Sequence, residues 1–167
     1  MAEPPAAGQA GPPRPGQPQA DLHWLREAIE LSRRCPPSES AFSVGAVLVS
    51  EAGQVIATGH SREGDPRDHA EEVALARAAG DPRLTGATLY SSLEPCLARA
   101  SRPRPCAELI LEAGIPRVVI AWLEPPLFAA GGGAGALRRG GVTVVEIPWL
   151  AGLARSVNAH LAGEGDG

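Results

Sequence analysis

The sequence contains no lysine, because all 15 residues counted as Lys+Arg are arginines. This excludes a Schiff-base lysine and a Walker-type phosphate lysine, and leaves arginine as the source of fixed positive charge. The three cysteines are too few to suggest a disulfide framework in 167 residues. No apolar run approaches the roughly 20 residues that a bilayer crossing needs, so we expect no membrane segment.

Length and composition predict one folded domain with a disordered tail. A chain of 167 residues with 44% apolar content fits one domain, at about 100–200 residues per domain. Residues 1–20 are Pro, Gly, Ala and Gln with almost no large apolar side chain, which predicts disorder and no signal peptide. We assign residues 21–162 to the domain and 163–167 to a flexible C-terminus. A net charge of −4 gives no reason to expect a polymeric nucleic-acid partner, and we expect a cytoplasmic protein.

Apolar periodicity predicts strands that alternate with helices. Such alternation indicates an α/β sheet covered by helices on both faces. The predicted strands are residues 41–49, 55–59, 86–92, 117–122 and 142–145. The predicted helices begin at a capping Asp21, at Asp68 or a neighbouring loop residue, at Pro95, at Pro105, around Leu137 after a glycine-rich loop at 131–135, and at Trp149.

One histidine and two cysteines stand at predicted junctions between these elements. His69 lies in the first turn of the second helix, and Cys96 and Cys106 each follow a proline. Proline suits the first position of a helix, and a cysteine at a helix N-terminus has a lowered pKa that favours the thiolate. These residues can hold zinc at three corners of a tetrahedron, which leaves a fourth corner for water.

Glu71 lies two residues after the histidine and is predicted to be the catalytic group. Zinc lowers the pKa of bound water from about 15.7 to near 7. A carboxylate beside that water can accept its proton and deliver it to a substrate ring nitrogen and then to a departing amine. The pattern therefore predicts a catalytic zinc site. The alternative of a closed structural zinc needs a fourth ligand, for which Glu71 is the near candidate and Cys35 lies in an earlier helix.

The motifs resemble those of a known enzyme family. His-x-Glu followed by Pro-Cys and a further Cys is the signature of zinc-dependent nucleobase deaminases. The stretches 69–71, 93–96, 105–107 and 109–119 resemble the deaminase domain of the bacterial riboflavin pathway, and the similarity runs from about residue 21 to 145. The long gap between Cys96 and Cys106 matches this branch. The resemblance implies a cytidine-deaminase-like fold, a three-layer α/β/α sandwich with a five-stranded mixed sheet, and a homodimer or homotetramer.

The segments that bind substrate in the family are altered in this chain. The loop between the cysteines, residues 97–105, lacks the family's Ser-His-His-Gly-Arg-Thr-type run, and residues 40–45 lack its asparagine. The lid segment reads Glu-Pro-Pro-Leu at 124–127, and we expect no reductase domain in these residues. The loop arginines could clamp a phosphate, although solvated loop arginines are an equal alternative. The candidate substrate contacts are Phe42, Ser43, Ala70, Glu94, Arg99, Arg102, Arg104 and Phe128.

The sequence therefore predicts a zinc-dependent aminohydrolase acting on a small aminopyrimidine and water. The first hypothesis is the riboflavin-pathway deamination of a diaminopyrimidinone ribosyl phosphate. A related nucleoside or free base of secondary metabolism is the second. Outside enzymology, the alternatives are a zinc-stabilised binding module and a catalytically inactive partner subunit.

Overall fold

The computed structural model describes residues 11–100, 102–125 and 132–161, and within them a five-stranded mixed sheet forms the centre. The strand order is β2-β1-β3-β4-β5. Strand β1 pairs antiparallel with both β2 and β3, whereas β3, β4 and β5 are parallel. The strands are β1 Gly45–Val49, β2 Val55–His60, β3 Thr88–Ser91, β4 Arg117–Ile120 and β5 Thr143–Glu146.

Helices cover both faces of this sheet. One face packs against α1 and α5, and the other packs against α2, α3 and α4. The predicted three-layer α/β/α sandwich is thus confirmed. The helices are α1 Pro18–Ser32, α2 Ala70–Ala78, α3 Cys106–Ala113, α4 Gly133–Arg139 and α5 Ala151–Val157, with short 3-10 helices at Pro82–Gly86 and Pro148–Leu150.

Strand β1 shows why the sheet needs two helical layers. All five of its residues are buried. Since successive side chains of a strand point to opposite faces, Ala46 and Leu48 belong to the core beneath α2–α4, while Val47 and Val49 belong to the core beneath α1. Burial on both faces explains why this strand reads as a continuous apolar run in the sequence.

The first helix begins earlier than predicted. Helix α1 begins at Pro18, so residues 18–20 belong to the helix and not to the predicted tail. Asp21 does not cap the helix but lies in its first turn, where its carboxylate is buried. The preceding residues also contact the domain, since the Trp24 indole donates a hydrogen bond to the Pro13 carbonyl at 2.8 Å. Residues 1–10 and 163–167 lie outside the described residues.

Two other predicted elements are shorter in the structure. The strand predicted over 41–49 is formed only from Gly45 onward. The helix predicted over 149–161 divides into the 3-10 helix Pro148–Leu150 and α5. None of the helices in the described part of the chain has the length and apolar character that a bilayer crossing requires.

Candidate metal and catalytic site

His69, Cys96 and Cys106 come together at one edge of the sheet. The His69 Nδ1 atom lies 3.5 Å from the Cys96 Sγ atom and 3.4 Å from the Cys106 Sγ atom. His69 is the N-cap of α2 and not a first-turn residue as predicted, and Cys106 is the first residue of α3. Cys96 lies in the loop after β3, so the helix predicted to begin at Pro95 is wrong. Its thiol is instead fixed by the Cys106 backbone N–H, which donates to Cys96 Sγ at 3.2 Å.

The spacing of these atoms fits a tetrahedral zinc ion. Zinc bonds of about 2.05 Å to nitrogen and about 2.3 Å to sulfur place the two ligand atoms about 3.6 Å apart. The contact with Cys106 lowers the pKa of the Cys96 thiol, and the same contact, together with burial, raises the pKa of Cys106. A bound cation stabilises both thiolates at once. Among the described residues, no fourth side chain joins this cluster, as expected for a site with an open corner.

Close packing of α2 against β2 sets the position of His69. A Cβ atom at Gly59 of β2 would lie 2.3 Å from the Ala70 carbonyl oxygen. Only glycine therefore lets the first turn of α2 approach the strand so closely. The Glu72 carboxylate then accepts a hydrogen bond from the His69 backbone N–H at 3.3 Å, which fixes the residue at the helix N-terminus.

Glu71 is buried beside the metal ligands, with 3% of the residue exposed. Its Oε1 atom lies 2.7 Å from the hydroxyl of Ser91, the last residue of β3. Burial raises the pKa of Glu71, while the Ser91 hydrogen bond opposes this rise. A carboxylate with a raised pKa, next to the place where water would bind, is suited to accept and return protons near neutral pH.

A cavity of about 270 Å³ opens onto Glu71, His69 and Cys96. Of the predicted substrate contacts, those that line it are Phe42, Ala70, Glu94 and Arg99. Ser43, Arg102 and Arg104 are not lining residues, and Phe128 lies outside the described residues.

Ser43 is held by two side chains from elsewhere in the fold. Its backbone N–H donates to the Asn158 Oδ1 atom at 2.7 Å, and its hydroxyl accepts from Arg62 Nη2 at 2.8 Å. Ser43 is also buried. These contacts place it behind the cavity wall.

The arginines of the loop between the cysteines are bound to carboxylates. Arg99 pairs with Glu72 at 3.4 Å. Arg102 donates to Glu72 at 3.2 Å and to Asp68 at 3.0 Å. The third arginine, at position 104, pairs with Glu108 and Glu112 on the exposed side of α3. The predicted phosphate clamp stays a prediction, and only Arg99 of the three lines the cavity.

Glu94 holds the cavity wall opposite α2 in place. Its carboxylate accepts hydrogen bonds from the backbone N–H groups of Glu124, at 3.0 Å, and Ala134, at 2.8 Å. A Cβ atom at Gly133 would lie 1.7 Å from the Pro95 carbonyl oxygen, so glycine allows α4 to pack directly on the cysteine loop. Residues 133–135 thus form the first turn of α4 and do not belong to the glycine-rich loop predicted at 131–135.

The sequence reasoning missed three residues of the site: Arg62, Ser91 and Glu124. Arg62 and Glu124 line the cavity, and Ser91 contacts Glu71. Burial, and then the negative charges of Cys96 and Glu71, raise the pKa of Glu124 to about 7. Its Oε2 atom is buried without a hydrogen-bond partner in the described structure. Ser91 ends β3 and Glu124 follows β4, so both lie at the carboxyl ends of these strands, where ligand sites of parallel sheets form.

The family model of the cytidine and deoxycytidylate deaminase zinc-binding region matches residues 18–122. The chain is 37% identical over 126 residues to the diaminohydroxyphosphoribosylamino-pyrimidine deaminase of Schizosaccharomyces pombe. It is 43% identical over 124 residues to the riboflavin biosynthesis protein RibD of Haemophilus influenzae. These matches cover 74% and 73% of this chain, but only 31% and 32% of the two relatives.

A solved structure shows the same similarity in three dimensions. The RibD of Acinetobacter baumannii superposes with a TM-score of 0.71 at 33% sequence identity. The match covers 85% of this chain and 39% of that one. The chain thus spans about a third of the length of its curated relatives.

Proposed function

Because the chain belongs to the cytidine and deoxycytidylate deaminase zinc-binding family, we propose that it hydrolyses the amino group of a diaminopyrimidinone ribosyl phosphate. The reaction exchanges a ring C–NH₂ for a C=O, consumes water and releases ammonia. Riboflavin-pathway relatives support this choice of substrate. The observation that carries the proposal is the buried Glu71 carboxylate beside three metal ligands at the cavity.

His69, Cys96 and Cys106 would hold the zinc ion, which when bound supplies the Lewis acidity that activates water at neutral pH. Glu71 accepts the proton of that water and passes it to the ring nitrogen next to the carbon under attack. The same carboxylate then takes the proton of the newly added hydroxyl group and delivers it to the amine, so that the C–N bond breaks, ammonia leaves and a ring C=O remains. Burial of Glu71 excludes bulk water from these transfers.

The other cavity groups support recognition of a flat ring with N–H donors. The unpartnered Oε2 atom of Glu124 is an acceptor for a ring or exocyclic N–H group. The Phe42 ring packs edge-to-face on Trp122, with the ring centroids 5.3 Å apart, which fixes an aromatic surface at the cavity. Glu94 uses both carboxylate oxygens on backbone N–H groups, so we assign it to holding the wall and not to the ring.

Replacement of Glu71 by Gln tests the proposal. The amide keeps the shape and the zinc ligands but cannot accept the proton, so we expect stoichiometric zinc and a loss of ammonia release of about 10³-fold or more. Ammonia is measured with phosphorylated and unphosphorylated aminopyrimidines. Glu27→Gln serves as the control, because it makes the same chemical change at an exposed position. A Glu71→Gln protein that deaminates at the wild-type rate would contradict the mechanism. A wild-type protein inactive on the whole panel would favour the binding-module and partner-subunit alternatives.

Self-association and a cytoplasmic location belong to the same proposal. A surface groove between α2 and α3 is lined by Leu75, Leu109 and Ala113, an apolar surface that a second copy could cover in a dimer or tetramer. The three free cysteines include two that must stay reduced to bind metal, which fits a reducing compartment. Analytical ultracentrifugation of the zinc-loaded protein measures its oligomeric state directly.

A further inference from the structure

Three arginines line the cavity, and they differ in how their charge is balanced. Arg67 pairs with Asp65 at 3.2 Å, and Arg99 pairs with Glu72 at 3.4 Å. Arg62 forms no ion pair with any of the described residues. Of the three cavity arginines, it is the one without a carboxylate partner in the described part of the chain.

Neutral groups hold the Arg62 guanidinium in place. Its Nε and Nη2 atoms donate to the Pro36 carbonyl at 3.1 and 2.7 Å. Its Nη1 atom donates to the Phe42 carbonyl at 3.1 Å, and Nη2 also donates to the Ser43 hydroxyl at 2.8 Å. These bonds fix the orientation of the planar group without cancelling its charge. An arginine side chain carries five N–H donors, so one Nη1 hydrogen has no recorded acceptor among the described residues.

The backbone at Arg62 is also held in a costly conformation. Its φ angle is 56°, in the left-handed region that favours glycine. The Arg62 N–H donates to the Asp68 carbonyl at 2.8 Å, which ties this turn to the start of α2. Partial burial lowers the pKa of Arg62 and so disfavours its charged form. Strained backbone and an uncompensated charge persist where the surrounding structure enforces them, commonly at ligand sites.

We propose that Arg62 binds the phosphate group of the substrate and makes the site selective for a phosphorylated aminopyrimidine. The inference rests on the proposed function, and it assigns the phosphate to a residue outside the cysteine loop. Arginine suits phosphate because its charge and its planar set of N–H donors match the phosphate oxygens. An arriving dianion supplies the ion-pair partner that Arg62 lacks among the described residues. Arg102 and Arg104, by contrast, already bind carboxylates.

Replacement of Arg62 by Gln tests this assignment through selectivity. For the zinc-loaded protein, kcat/KM is measured on an aminopyrimidine ribosyl phosphate and on its dephosphorylated form. We expect the ratio of the two values to fall about 10- to 100-fold, the range for losing a charged hydrogen bond. Arg62→Lys, which keeps the charge but not the planar donors, should retain part of the ratio. Arg67→Gln is the matched control, since it also removes a cavity arginine but one that is paired with Asp65, and its ratio should stay as in the wild type.

A binding measurement separates this inference from the proposed function. Calorimetric titration with ribose 5-phosphate should show binding to the wild-type protein that weakens about 10-fold or more in Arg62→Gln. If the wild-type protein binds ribose 5-phosphate in this way but releases no ammonia, the proposed function fails and the phosphate site stands. If Arg62→Gln lowers activity equally on both substrates and binds ribose 5-phosphate as the wild type does, Arg62 only holds residues 36–43 and the inference is wrong.

Discussion

A single hydroxyl group joins the catalytic carboxylate to the end of the central strand. The Ser91 Oγ atom lies 2.7 Å from the Glu71 Oε1 atom and equally 2.7 Å from the Leu93 carbonyl oxygen. Ser91 is fully buried, so water cannot replace either contact from outside. The hydroxyl therefore restricts the Glu71 side chain to one orientation in front of the metal ligands, and Ser91 acts as a positioning residue.

We expect Ser91→Ala to lower kcat about 10-fold with a smaller effect on KM, because one buried hydrogen bond to a charged group contributes about 1.5 kcal/mol. Zinc content should stay stoichiometric, and Ser91→Thr, which keeps the hydroxyl, should recover most of kcat. Ser92→Ala is the control, since this buried neighbour accepts from the Gly45 N–H and has no recorded hydrogen bond to Glu71 within the described residues. Steady-state kinetics on both variants decide the point. Equal losses in Ser91→Ala and Ser92→Ala would show a general packing effect.

At the scale of elements, a charged cluster joins the cysteine loop to the start of α2. We call Asp68, Glu72, Arg99 and Arg102 the loop brace. Glu72 Oε1 accepts from the His69 backbone N–H as well as from Arg102 Nε, so one carboxylate contacts both the ligand histidine and the loop between the ligand cysteines. The Arg99 side chain is only 3% exposed, which places part of the brace out of water. Such supporting contacts orient metal ligands before the metal binds.

Arg102→Gln should therefore weaken zinc binding about 10-fold, at the lower end of the effects seen for residues that support metal ligands. The measurement is the equilibrium distribution of zinc between the protein and a chromophoric chelator of known affinity. Arg104→Gln provides a matched control in the same loop, because Arg104 pairs with Glu108 and Glu112 away from the ligands. Equal zinc loss from the two variants would contradict a specific role for the brace.

The loop brace also shows which parts of the site could be predicted from the sequence and which could not. The ligand set was predictable because His69, Cys96 and Cys106 carry their chemistry in short local motifs. The α/β sheet was predictable because its strands are apolar runs that alternate with helical patterns, whereas its mixed strand order came from the family resemblance. The partners of Arg99 and Arg102 were not predictable, since Glu72 lies 27 and 30 positions away along the chain. Only the folded path of the chain decides whether an arginine meets a carboxylate or an open cavity. Arg62, which follows β2, was missed for the same reason.

At the scale of the whole molecule, one buried carboxylate ties α1 to the sheet. Asp21 accepts two hydrogen bonds from Arg117 of β4, at 2.8 and 2.6 Å, and one from the Tyr90 hydroxyl of β3, at 2.6 Å. Burial opposes ionisation of Asp21, but these hydrogen bonds outweigh it and lower its pKa. Asp21 is thus joined across two layers to Tyr90, which lies 69 positions further along the chain, and to Arg117, which lies 96 positions further.

Because of this network, part of the free energy of unfolding depends on pH. Because the pKa of Asp21 is lower in the folded than in the unfolded chain, its contribution is present above the ordinary aspartate pKa of about 3.9 and is lost as pH falls below it. Asp21→Asn should lower the free energy of unfolding by about 2–3 kcal/mol at pH 7, since it leaves Arg117 unpaired and only partly exposed. The difference from the wild type should shrink towards pH 3, where metal loss affects both proteins alike. Urea unfolding at the two pH values measures this, with the exposed Glu30→Gln as a control that should change little. A difference that stays constant with pH would show that the carboxylate charge does not stabilise the junction between α1 and the sheet.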